Sequence, residues 1–146
     1  MRSNYQTPYP RLRDTPLPAI VQKVREIVER DPHFVYDPPT ASDGDPTCSY
    51  EYEGQPSCLL GKAMFECGVP IEELRRMDRK ETVDFNSLPI RDAICSAHGW
   101  TPEVVRSLDP DTRRYVEWLG TVQRKQDDSQ EYEHCVLSAD ANYPLP

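Results

Sequence analysis

Proline constrains this chain more than any other residue. Fifteen of its 146 positions are proline, against a typical usage of about 5%. A proline inside a helix or a central strand removes a backbone hydrogen bond, and these prolines gather at the two ends and in the stretch 31–56, so helices separated by stiff, irregular connections are expected. What remains open is a set of short helices that begin at a proline, where the missing N–H has no partner to lose. Pro18, Pro70, Pro89, Pro102 and Pro110 each precede a short helical or apolar stretch.

The stripes can be read from spacing. Ile20, Val24, Ile27 and Val28 form the first, stopped at Asp31-Pro32. Leu59, Ala63 and Cys67, with Leu60 and Met64 beside them, form the second; Pro56 or Ser57 opens it and Gly68 closes it with a left-handed cap. Ile71, Leu74 and Met77 follow, then Ile90, Ala93, Ile94 and Ala97, with Ser87 as cap and Gly99 as stop. Thr101 caps a short helix, and Asp109 caps the longest, over about 110–126, with Tyr115, Trp118, Leu119 and Val122 inward. A last helix carries Tyr132, Cys135, Val136 and Ala139. Phe34-Val35-Tyr36 suits a short strand. Cys48 to Tyr52 alternates, with Glu53-Gly54 as a turn, which predicts a hairpin near residues 48–57 lying on the helices. The expected fold is mainly α, with about six short helices in one compact bundle and this hairpin. Residues 1–16 have no period and read as a flexible arm, 17–140 as a single helical domain, and 141–146 as a tail.

Charge narrows the function. The net charge is −8, and residues 31–60 hold six carboxylates with no Lys or Arg. Non-specific nucleic-acid binding depends on Lys and Arg displacing counterions, so nucleic acid is a disfavoured partner. No run approaches the roughly 18 apolar residues of a membrane span. Residues 1–18 lack the apolar core of a secretory signal. Five cysteines are an odd number, which points to reduced thiols and a cytoplasmic location.

Four constellations could carry chemistry. Cys58 falls in the first turn of a helix, where the dipole lowers a thiol pKa. With His98 or His134 as base it would be the nucleophile of a thiol-dependent hydrolase. Cys48, Cys58, Cys67, Cys95, Cys135, His98 and His134 are zinc-ligand types, but no C-x-x-C spacing is present, so neither a metal nor another cofactor is expected. Ala63 to Met77 and Ala93 to Leu108 share helix–turn–helix grammar. Arg75, Arg76, Arg79 and Lys80 would form a basic edge for DNA, interrupted by Glu72, Glu73, Asp78 and Glu81. Lastly, Phe34, Tyr36, Tyr50 and Tyr52 lie among Asp43, Asp45, Glu51 and Glu53. Aromatic anchors ringed by charge suit an interface. The favoured reading is a non-enzymatic protein that binds a host or cellular protein with a basic face through this acidic, aromatic surface.

The pattern Cys48, Tyr50, Gly54, Pro56, Cys58, Gly61 and Gly68 resembles small uncharacterised proteins of actinobacteria and their phages. Trp118-Leu119, Gln123, Gln126-Asp127, Tyr132 and Ala139 resemble the C-terminal helix pair of that group. Ser129 stands where a more flexible residue is expected. The resemblance implies a cytoplasmic accessory protein and no particular activity.

Overall fold

The computed structural model describes residues 5–38, 49–78 and 88–146. Among them are eight helices: α1 (Pro10–Arg13), α2 (Leu17–Arg30), α3 (Leu59–Glu66), α4 (Ile71–Asp78), α5 (Ile90–His98), α6 (Pro102–Ser107), α7 (Pro110–Asp127) and α8 (Tyr132–Asn142). A two-stranded antiparallel hairpin, β1 (Glu51–Tyr52) and β2 (Gln55–Pro56), precedes α3, with Glu51 opposite Pro56 and Tyr52 opposite Gln55. The chain is thus mainly helical with a small hairpin, as its periods predict. Ser87, Cys48, Asp43, Asp45, Arg79 and Lys80 lie outside the described residues.

Three caps follow the sequence, whereas α5, for which Ser87 was expected, has Pro89 at its N-cap and no side-chain cap there. Asp109 accepts the Thr112 N–H at 2.8 Å, Thr101 accepts that of Val104 at 3.3 Å, and Gly99 turns out of α5 at φ 69°. Every inward position expected of α2, α5 and α8 is buried, and Trp118, Leu119 and Val122 of α7 are fully so. One continuous core runs from Tyr9 to Ala139. The expected strand at 34–36 shrinks to one bridge, Val35 with Glu131, where Tyr132 N–H donates to the Phe34 carbonyl at 2.9 Å. Ser129 has φ 63°, so it occupies the left-handed conformation that a more flexible residue would adopt without strain.

The arm needs correction. Within residues 1–16, Pro10–Arg13 form α1, with Leu12 completely buried. The cause is a carboxylate from elsewhere in the chain. Glu73, buried in α4, accepts the N–H of Arg11 at 2.8 Å and of Leu12 at 3.1 Å. The first turn of α1 therefore has its cap supplied from 62 residues away. At the other end, Tyr143 and Leu145 of the expected tail are partly buried against the core.

Three further polar contacts fix the layout. Asp78 accepts the N–H groups of Tyr50 and Glu51, both at 2.9 Å, which ties the hairpin to α4. Gln126 accepts the Leu59 N–H at 2.7 Å and Gln123 that of Ile90 at 2.6 Å, so α7 caps both α3 and α5. Asp140 receives both Arg25 Nη atoms at 2.9 and 2.8 Å and the Trp118 indole N–H at 2.8 Å, joining α2, α7 and α8.

Candidate functional site

Cys58 is where the sequence places it, at the start of α3, but its environment reverses the expected chemistry. It is the N-cap, and its sulfur accepts the Gly61 N–H at 3.4 Å. The side chain is buried, and that desolvation pushes the thiol up to about 12. The dipole at this helix start is outweighed by loss of water around the charged form. Neither imidazole partners the sulfur among the described residues. His98 stacks on Trp100 with ring centroids 4.2 Å apart, and His134 is exposed on α8. The activated-thiol expectation is therefore corrected: Cys58 is a cap inside the core. Among the described residues no cluster of His, Cys, Asp and Glu is arranged to hold a metal.

The acidic, aromatic face is also redistributed. Tyr50 is buried; its hydroxyl donates to the Leu88 carbonyl and accepts from Gln123 Nε2 at 2.8 Å. Tyr36 is buried, with its hydroxyl 2.9 Å from Ser57 Oγ. Phe34 is half-buried against Tyr132, with Lys62 Nζ 4.9 Å from its ring centroid. Glu51 accepts from Gly54 N–H at 2.7 Å and pairs with Arg75 at 3.3 Å. Among the described residues of the expected surface, that leaves Tyr52, at 47% exposure, and Glu53 as exposed side chains. The aromatic residues that read as anchors are chiefly fillers beneath the hairpin.

The basic edge expected for DNA fares similarly. Arg75 is held by Glu51, Arg76 Nε donates to the Pro8 carbonyl at 3.2 Å, and Glu73 points into the protein. No described helix is long and apolar enough to cross a membrane.

A concave surface among the described residues lies elsewhere, between α5, α6 and α7. It is an open cleft of about 840 Å³. Cys95, Trp100, Val105, Leu108, Val116 and Tyr143 supply its apolar lining. Arg91, Arg106, Arg113 and Arg114 also line it, against two carboxylates, Asp92 and Glu117. Its position follows from α6. This helix holds Val104 and Val105 between polar neighbours, too short a stripe to reach the core, and none of its residues is buried. Val104 remains 39% exposed. Gly99 and Pro110 turn the chain on either side, so α6 arches off the body. On the far side of Trp100 a second depression of about 590 Å³ is lined by His98, Tyr115 and the loop after α1.

Sequence reasoning missed this cleft, because it is built from side chains on three separate elements. One signal was present: the only apolar side chains of this six-residue helix beyond its opening proline are Val104 and Val105, with no third one a turn away to extend the stripe. The residues behind the resemblance have structural duties instead. Tyr50, Gln123 and Gln126 form the buried polar contacts, Trp118 holds Asp140, and Gly61 lets the hairpin backbone approach α3. In comparison with known proteins, no family model, no curated protein and no solved structure matches the chain.

Proposed function

We propose that the chain is a non-enzymatic binding protein, acting in the cytoplasm as an accessory factor of the actinobacterial or phage kind its motif resembles. Its contact surface is the α5–α6–α7 cleft. The observation that carries this reading is the concave apolar lining around Trp100, arched by a helix none of whose residues is buried. Concave surfaces with an apolar floor and a few polar groups at the edge are the usual form of binding sites. The cleft replaces the 34–56 surface as the favoured contact, since Tyr36 and Tyr50 are interior.

Affinity capture from a host lysate tests it with two variants. Val105→Asp places a charge in the cleft lining, and Tyr52→Ala with Glu53→Lys alters the exposed remnant of the hairpin surface. A protein retained by the wild type and by the hairpin variant but lost with Val105→Asp supports the cleft. Retention that follows the hairpin variant instead, or no retained protein at all, counts against it.

A further inference from the structure

We infer that the occupant of this cleft is an acidic peptide segment carrying an apolar anchor; the inference rests on the binding reading above and adds the partner's chemistry. The protein as a whole carries −8, yet the cleft reverses that sign, with four arginines against Asp92 and Glu117. An acidic protein gains nothing in solubility from concentrating arginine in one depression. Arginine together with Trp and Tyr is the combination enriched where interfaces gain most of their energy. Trp100 and Tyr143 supply the rings.

The arginines are available to a partner at little cost. Arg91 pairs with Glu117 at 2.8 Å, Arg114 with Asp111 at 2.8 Å, and Arg106 with Glu103 at 3.7 Å. All three arginines are close to half or more exposed, and surface pairs of this kind contribute little to stability because water competes for both ions. Arg113 is exposed and forms no ion pair with another described residue. A carboxylate of a bound segment can therefore take the planar, two-pronged contact that guanidinium favours. The apolar lining below leaves an uncharged side chain as the group that fills the floor. A basic partner surface, expected from the acidic residues 31–60, does not suit this site.

The two tryptophans provide the readout. Trp118 is fully buried with its indole N–H on Asp140, whereas Trp100 lines the cleft. Intrinsic emission changes on binding thus report the surroundings of Trp100, and their loss in Arg113→Glu assigns them to the cleft rather than to the depression on its far side. The intact protein is titrated with three short synthetic peptides free of Trp and Tyr: a central leucine flanked by glutamates, the same peptide with lysines, and the glutamate peptide with glycine at the centre. The glutamate–leucine peptide is expected to give a saturable shift that weakens as salt rises. Arg113→Glu is expected to raise its dissociation constant by about tenfold. The lysine and glycine-centred peptides are expected to bind at least that much more weakly.

Equal responses to glutamate and lysine peptides overturn the charge inference while leaving the cleft as a contact surface. No response to any peptide overturns the acidic-peptide inference, while the cleft itself stands or falls with the Val105→Asp capture. A single-stranded oligonucleotide that shifts Trp100 emission at lower concentration than the glutamate–leucine peptide assigns the arginines to phosphate and overturns the inference. Concentration-dependent self-association that Arg113→Glu abolishes would make a second copy the occupant, and overturns an external partner.

Discussion

Replacing Gly61 by alanine should destabilise this protein, although the same change in a helix ordinarily does the reverse. In an open helix Gly→Ala gains about 0.5–1 kcal/mol, because glycine loses more backbone freedom on folding. At Gly61 the new Cβ would stand 2.3 Å from the Tyr50 carbonyl oxygen and 3.0 Å from its carbonyl carbon and Cα. These are backbone atoms held on both sides. The Tyr50 oxygen accepts the Ser57 N–H at 2.8 Å, and the Tyr50 N–H is bonded to Asp78. Relief requires the hairpin to lift from α3. Overpacking of this kind costs about 1–3 kcal/mol, and loss of the Ser57 bond adds about 1 kcal/mol. Set against the helical gain, the net loss is about 1–3 kcal/mol. For a chain of this size each kcal/mol moves the melting temperature by about 2–4 °C, so Gly61→Ala should melt roughly 2–12 °C lower. Gly120 is the internal control. A Cβ there meets only Arg91 Cγ and Cδ, at 2.9 Å, and that flexible side chain can swing aside. Gly120→Ala should stay within about 1 kcal/mol of wild type. Thermal and urea unfolding followed by far-ultraviolet circular dichroism measure both. A Gly61→Ala protein that melts at or above the wild type, or falls no further than Gly120→Ala, refutes the reasoning.

Tyr50→Phe removes the hydroxyl shared by the half-buried Leu88 carbonyl and the buried Gln123; the two groups left behind should cost about 2 kcal/mol, seen as a lower urea midpoint at unchanged slope, and an unmoved midpoint contradicts the network. Burial raises the pKa of Cys58 to about 12, of Cys135 to about 11, and of Tyr50 well above its ordinary value. Their neutral forms therefore favour the fold: this contribution is complete below the unfolded values, 9.0 for the thiols and 10.0 for the phenol, and is lost as pH rises through the folded ones. Urea midpoints should hold through neutrality and fall above about pH 9, and Cys58 should resist thiol reagents in the native protein; modification at the rate of a free thiol contradicts this burial. At the acid end, the Arg25 hydrogen bond holds the Asp140 carboxyl below its ordinary value of 3.8. The stability it adds is present above that unfolded value and lost as pH falls through the lower folded one, so Asp140→Asn should flatten the acid limb of the stability curve, and an unchanged limb excludes the pair as its source. Glu53 sits at φ 52° and Gly54 at φ 81° in the hairpin turn, a conformation that asparagine–glycine prefers; Glu53→Asn should raise stability by up to about 1 kcal/mol, and a lower melting temperature would contradict the turn assignment.

Helices were legible wherever apolar spacing and a cap coincided, as at Asp109 with Trp118, Leu119 and Val122, because both signals are local. α1 was not legible, since Tyr9 to Arg13 have no period and their cap, Glu73, belongs to another helix. The hairpin was placed from alternation and a turn, but alternation alone does not say which face is inside. Tyr36 and Tyr50 read as display residues for that reason, while their hydroxyls had buried partners in Ser57, Leu88 and Gln123. Cys58 was correctly put at a helix start. What the sequence could not express was the depth of burial there, and burial decides the sign of the thiol shift. Trp100 and the four arginines of the cleft all fall between residues 91 and 114, but on α5, α6, α7 and the turn before α6, and only the packing of those helices turns the stretch into one concave lining.

The loan of Glu73 to α1 also sets an order of events. Residues 9–13 leave the ribosome well before the carboxylate that completes their first turn, 62 residues after Arg11. A four-residue helix is too short to persist alone, so this stretch stays unfinished until α4 has emerged and folded. Its docking is then a late closing step, made by the earliest of the described elements to be synthesised.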